Sequence, residues 1–228
     1  MNLLAIETSA EFLSLAASRG AEVRTLHVEA GRRHAELILD ALGALMDEAG
    51  LEWSDLHGIA YGAGPGSFTG LRIACGVAQG LALARSLKVV GIGTLLALAE
   101  ASQQARVIAC IDARMGEIYH GAYLRSAAGW QEVHAPGLCK PESLPLPKMD
   151  SDDGGWVGCG NGFLAHGEAL RARLGGALET VRAGIAPTAG AVLALARASF
   201  ARGEGAAPAS AAPIYLRDKV ALKKGERP

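Results

Sequence analysis

Gly62-Ala63-Gly64-Pro65-Gly66-Ser67-Phe68-Thr69-Gly70-Leu71-Arg72 sets four glycines within nine residues, between a short apolar run at 59–61 and a long apolar run that follows. A turn of this kind lets backbone N–H groups and a helix N-terminus converge, which suits an anion or a closely approaching surface. The lysine and following Ser/Thr of a phosphate-binding G-x-x-x-x-G-K-[ST] loop are missing. Gly64, Gly66 and Gly70 fall as G-x-G-x-x-x-G, which is not the dinucleotide fingerprint either. From spacing alone, a tight strand-to-helix turn without a ligand fits equally well. The strand before the turn and the helix after it, residues 68–85, form the beginning of an α/β unit.

On the N-terminal side, 3–8, 12–17 and 22–28 read as three short strands of an antiparallel meander, followed by a helix over 33–49. On the C-terminal side come a strand at 89–92 and a helix at 95–101. After Gln104 the opening repeats. Val107-Ile108-Ala109-Cys110-Ile111-Asp112 echoes Leu3-Leu4-Ala5-Ile6-Glu7-Thr8, with an acid, Glu7 or Asp112, ending each first strand. An internal duplication follows, with an N-terminal α/β lobe at 1–104, a second lobe at 105–212 and a basic tail at 213–228. Pro136, Pro141, Pro145, Pro147 and the run Asp150-Ser151-Asp152-Asp153-Gly154-Gly155 mark a solvated loop before a strand at 156–159. Helices are expected at 164–174 and 188–202, and 205–213 reads as a flexible linker. Beyond it, five cations against two acids give residues 217–227 a net charge of +3, read as a solvated terminus.

A chain of 228 residues, 50% hydrophobic and with formal net charge -1, lacks the basic excess of a stand-alone nucleic-acid binder. No apolar run approaches the length of a membrane span and no leader precedes the first strand, so a cytoplasmic location is expected. Cys75, Cys110, Cys139 and Cys159 form no C-x-x-C pair and read as reduced thiols. The six histidines include no pair three to five residues apart, so no helix carries metal-ligand spacing. His34 reads as a surface or interface residue. Ser67 is not in a G-x-S-x-G elbow, and its expected role is to cap the helix that follows.

The two helices flanking the glycine turn are apolar over more of their circumference than one sheet face requires. On the first, Glu36, Asp40 and Asp47 form one narrow stripe; on the second, Arg72 and Gln79 are the only polar side chains from 71 to 84. Burial within one monomer accounts for this, and so does a subunit interface. The interface reading takes Leu37, Ile38, Ala41, Leu42, Gly70, Leu71, Ala74, Cys75 and Ala78 as the contact.

The Ile6-Glu7-Thr8-Ser9 opening, the Gly64-Pro65-Gly66-Ser67-Phe68-Thr69-Gly70-Leu71-Arg72 turn, Ile111-Asp112-Ala113-Arg114-Met115-Gly116-Glu117-Ile118-Tyr119 and Tyr215-Leu216-Arg217-Asp218-Lys219-Val220 resemble the bacterial TsaB (YeaZ) proteins nearly end to end. The resemblance implies an α/β fold of two duplicated lobes, of the acetate kinase, sugar kinase, heat-shock ATPase and actin (ribonuclease H-like) type. It also implies a dimerisation subunit without catalytic residues of its own, paired with its paralogue TsaD and the ATPase TsaE. That complex places threonylcarbamoyl on the adenosine beside the anticodon of tRNA. Alone the chain would form a homodimer, and tRNA would be met only through the complex. ATP and metal are expected on the partner subunits, and no cofactor here. Where TsaD has a metal-binding H-x-x-x-H, this chain has Thr94 and Leu98.

By the same resemblance, Glu7, Thr8, Ser9, Gly64, Gly66, Ser67 and Asp112 would line a vestigial nucleotide cleft. Glu7 stands where most of the family has aspartate. The alternatives, an ATP-binding kinase-like protein and a glycoprotease-like metallopeptidase, would need tight nucleotide binding or a bound metal.

Overall fold

The computed structural model describes residues 1–147 and 154–217. Residues Asp150 to Asp153 of the expected loop and the tail residues after Arg217 lie outside the described residues. The first sheet begins with the expected meander of β1 (Leu3–Glu7), β2 (Phe12–Arg19) and β3 (Glu22–Glu29). It continues with β4 (Gly58–Gly64) and β5 (Lys88–Gly93), both parallel to β1, in the order β3-β2-β1-β4-β5. The second sheet, from β6 (Arg106–Arg114), β7 (Glu117–Ser126), β8 (Gly129–Cys139), β9 (Trp156–Cys159) and β10 (Leu178–Arg182), has the order β10-β9-β6-β7-β8. Strand for strand this is the first sheet again, with β6 in the place of β1. The repeat read from two short segments therefore extends over both lobes.

Two of these strands escape sequence reading. β8 contains Pro136 and Gly137, which a central strand could not hold but an edge strand can. β10 is a short, mostly polar strand on the opposite edge, without an apolar alternation to mark it.

Alternation along the strands gives each sheet two apolar faces, and helices cover all of them. On the outer face of the first sheet, Leu4, Ile6, Leu15 and Ile59 meet α1 (His34–Ala49) and α2 (Phe68–Arg85). On its inner face, Leu3, Ala5, Ala60 and Val90 meet α3 (Thr94–Ser102) and, further along the chain, α6 (Ala189–Ala201). The opposite side of α3, through Leu95, Leu98 and Ala99, packs on Val107, Ala109 and Val157 of the second sheet. The outer face of that sheet carries α4 (Gly162–Ala165) and α5 (Gly167–Leu174). The single helix expected at 164–174 is thus two, broken at His166. Each Leu or Ile in these layers contributes about 1.5–3 kcal/mol through burial.

Several expectations about exposure are corrected. Ile38, Leu42, Gly70, Leu71, Ala74, Cys75 and Ala78 are buried under their own helices, in the monomer core, and only Leu37 and Ala41 of the expected contact are half-exposed. On α2 the alanines Ala74, Ala78 and Ala82 face the sheet and let the helix lie close to it. His34 is also buried, with its Nε2 3.2 Å from the Phe12 carbonyl. The expected linker at 205–213 is a bound strap: Ala206 pairs with Val89 at the sheet edge, and Gln79 Nε2 donates to the Pro208 carbonyl at 3.1 Å.

Gly70 is where the fold leaves least room, because a Cβ there would overlap the Thr8 carbonyl oxygen. Gly70→Ala should lower unfolding stability by about 1–3 kcal/mol or more, read from denaturant midpoints. Gly43→Ala in α1, with open space around it, should instead raise stability by about 0.5–1 kcal/mol. Equal behaviour of the two variants would contradict the close packing of α2 on β1.

Candidate functional site

The lobes enclose a cleft of about 620 Å³, walled by the glycine turn on one side and the β6–β7 end on the other. In the first lobe, Ser67 N donates to the Ser9 carbonyl at 2.8 Å, and a Cβ on Gly66 would sit 2.8 Å from Ser9. Ser67 Oγ accepts from Gly70 N at 3.3 Å, the N-cap role expected of it. Thr8 Oγ1 donates to the Gly70 carbonyl at 2.7 Å, tying β1 to the first turn of α2.

The second lobe repeats the device. Gly158-Cys159-Gly160-Asn161-Gly162 is its strand-to-helix turn, and a Cβ at Gly160 or Gly162 would collide with Cys110 in the middle of β6. Asn161 Oδ1 accepts from Asp112 N at 2.9 Å. The Asp112 carboxylate accepts from Arg114 N at 2.9 Å and pairs with the Arg114 guanidinium at 3.0 Å.

Of the seven expected cleft residues, the fold brings Ser9, Gly66, Ser67 and Asp112 to the cavity wall. Glu7, Thr8 and Gly64 are buried behind it, which corrects their expected place. Glu7 continues the inward row of Leu3 and Ala5, so its side chain lies over Gly62, where a Cβ would overlap Oε2. Its Oε1 accepts from Ser9 N at 2.5 Å, and Oε2 has no hydrogen-bond partner. Burial pushes the Glu7 carboxyl above its usual range, and the hydrogen bonds from Ser9 oppose this only in part.

Asn161, Tyr119 and Arg217 also line the cleft and were not singled out as site residues. The dense glycines of 158–162, echoing 62–66, were the signal available for Asn161. Among the described residues the lining includes Arg32, Arg114 and Arg217 but no lysine, histidine or cysteine. No group of three His, Cys, Asp or Glu among the described residues could hold a metal. The cleft can thus offer hydrogen bonds and guanidinium groups; Ser67 and Asp112 are engaged within their own lobes, whereas the buried Ser9 hydroxyl at the wall has no partner among the described residues.

A second feature is the outer face of α1 and α2. Leu39 is 65% exposed and Leu83 71% exposed, and a Cβ at Gly76 or Gly80 would meet open space. Ala44 and Ala84 are exposed and Ile73 and Val77 half-buried on the same helices. Acids Glu36, Asp40 and Asp47 are exposed along α1. No helix among the described residues is long and apolar enough to cross a membrane.

Residues 26–154 match the family model described as "TsaD: tRNA N6-adenosine threonylcarbamoyltransferase". The chain is 37% identical to the tRNA threonylcarbamoyladenosine biosynthesis protein TsaB of Escherichia coli (strain K12), over 98% of each chain. It is 32% identical to the TsaB of Haemophilus influenzae, over 98% of this chain and 97% of that one. Among solved structures, YeaZ from Pseudomonas aeruginosa superposes with a TM-score of 0.86 at 36% identity, covering 94% of this chain and 99% of that one.

The buried carboxyl gives a test of the wall. Because the folded state holds the Glu7 proton more tightly than the unfolded chain, its stabilising share is complete below the unfolded value, about 4.3. That share is lost as pH rises from there through the folded value. Glu7→Gln keeps the acceptor for Ser9 N and removes the titration. Its melting temperature should therefore gain on the wild type as pH rises from acid to neutral, each 1 kcal/mol reading as about 2–4 °C. A constant gap across that range would mean that Glu7 titrates normally.

Proposed function

The chain belongs to the TsaB family, and from that membership we propose that it serves tRNA threonylcarbamoyladenosine biosynthesis as a scaffold without chemistry of its own. In this reading it pairs through α1 and α2 with its TsaD paralogue, which carries the reaction on the adenosine beside the anticodon, and works with the ATPase TsaE in the cytoplasm. Without the paralogue a second copy takes the same face, and tRNA is met through the complex.

The observation that carries the reading is the open outer face of α1 and α2. Exposed Leu39 on α1 and Leu83 on α2, with Gly76 and Gly80 of α2 opening onto free space, fit a helix-to-helix contact better than a solvated surface. The all-apolar composition of α2 then has two causes, alanines turned to the sheet and larger apolar groups turned to a partner. Thr94 and Leu98, at the place of the paralogue's metal pair, support leaving the chemistry to the partner. Thr94 is buried at the start of α3, and Leu98 packs between the lobes. Neither side chain supplies a nitrogen or carboxylate donor.

The chain alone should therefore not modify tRNA, and adding the TsaD paralogue and TsaE should restore modification. ATP should bind it more weakly than micromolar in calorimetry. A tight nucleotide complex would favour the kinase-like alternative.

The interface itself is tested by Leu39→Glu and Leu83→Glu. Each puts a charge on the open face while leaving the buried side intact. Association with a second copy or with the paralogue should weaken at least about tenfold, equivalent to 1.4 kcal/mol, with unchanged circular dichroism. Ala78→Trp, by contrast, should unfold the monomer, since Ala78 is fully buried. Wild-type association of both glutamate variants would place the contact elsewhere.

A further inference from the structure

We propose that the β6–β7 hairpin is a receptor for the guanidinium of Arg217, which makes residues 206–217 a latch that fastens the first lobe to the second across the mouth of the cleft. The strap is held to the first lobe along its whole run. Ala206 and Val89 exchange backbone hydrogen bonds of 2.9 Å each way, and Tyr61 Oη accepts from Ala212 N at 3.0 Å. Ile214 N donates to the Ala63 carbonyl at 2.7 Å, beside the glycine turn. Tyr215 then lies against Phe68 at the start of α2, with ring centroids 5.7 Å apart. Its hydroxyl accepts from Arg72 Nε at 3.0 Å, and the Arg72 guanidinium stacks 3.6 Å from the Phe68 ring centre.

Two residues later the strap reaches the other lobe. Arg217 Nη2 is 2.6 Å from Glu117 Oε2 and donates to the Ala113 carbonyl at 3.2 Å, while Nη1 lies 3.3 Å from the Met115 sulfur. The hairpin is shaped for this. Arg114, Met115 and Gly116 are consecutive left-handed residues, and the carbonyl of Ala113, just before them, reaches the same guanidinium as the Glu117 carboxylate. A planar fork with several donors suits such a set of acceptors better than an ammonium does. The Arg217 side chain is only 14% exposed and that of Glu117 30%, so the guanidinium is shielded more than in a fully exposed ion pair. Arg217 and Met115 both line the cleft, so the latch closes its rim.

The latch also touches the start of α2 through Phe68 and Arg72. A partner seated on that helix would therefore be felt at the hairpin; this second arm rests on the docking proposed above. Hydrogen exchange of the full chain, followed by mass spectrometry, tests both arms. Arg217→Ala and Glu117→Gln should each raise exchange of residues 110–120 at least tenfold while circular dichroism stays unchanged, and the double variant should match the single ones. Arg217→Lys should recover only part of the protection. Wild-type exchange in the single variants, or additive losses in the double variant, would overturn the latch. With the TsaD paralogue added, residues 110–120 should gain protection in the wild type and not in Arg217→Ala. Equal gains in both would overturn the coupling. If the paralogue does not bind wild type at all, the docking reading fails, and the latch stands or falls on the first arm.

Discussion

The backbone of α2 crosses the end of β1 so closely that Gly70 has no space for a single methyl group beside the Thr8 carbonyl. That contact sets where α2 begins against β1. Thr8 Oγ1 bonds to the Gly70 carbonyl and Ser67 caps the Gly70 amide, so the first turn of the helix is fixed from two directions. Once the start of α2 is fixed, the alanine row Ala74, Ala78 and Ala82 lies on the sheet and Leu83 points outward. The same turn forms one wall of the cleft and offers Ala63 as an anchor for the strap. The second lobe uses the same solution with Gly160 and Gly162 against Cys110, which preserves the symmetry of the two sheets where their sequences have diverged.

Much of this architecture was legible because its signals are local. Residues 68–85 read as a helix and are one, since a serine cap opens it and a change in pattern closes it. The meander, the parallel strands and the duplication followed from short apolar runs separated by turns. What stayed hidden depends on the neighbours of a segment rather than on the segment itself. An all-apolar helix has no strong side, so nothing in α2 says which face meets the sheet; only packing distance turns the alanines inward. β8 and β10 are edge strands, where proline, glycine and polar residues are tolerated because one side makes no ladder. The strap reads as a linker because alanine and proline carry no pattern, yet it is held through backbone groups whose partners lie far away in sequence. At the cleft, Ser9 and Asp112 were expected through the family resemblance, while Arg217 was not, since it arrives from the far end of the chain.

Most polar groups around the cleft are committed within their own lobes. Ser67 Oγ accepts in the helix cap, the Asp112 carboxylate is held by Arg114 while its backbone N–H donates to Asn161, and Glu7 accepts from Ser9 N beneath the wall, where the Ser9 hydroxyl itself has no partner among the described residues. Groups satisfied within their own lobe stabilise the walls but are poorly placed to receive a ligand, because binding would first have to break what they already make. Burial raises the Glu7 carboxyl above its usual range, and the neutral form that this favours leaves its unpartnered oxygen at the smaller cost. α3, packed on both sheets, and the Arg217 contact, at the rim, hold the lobes at two separate places, so that the face made by α1 and α2 is presented in one orientation. Preorganisation of that kind lowers the ordering cost of any association that this face makes.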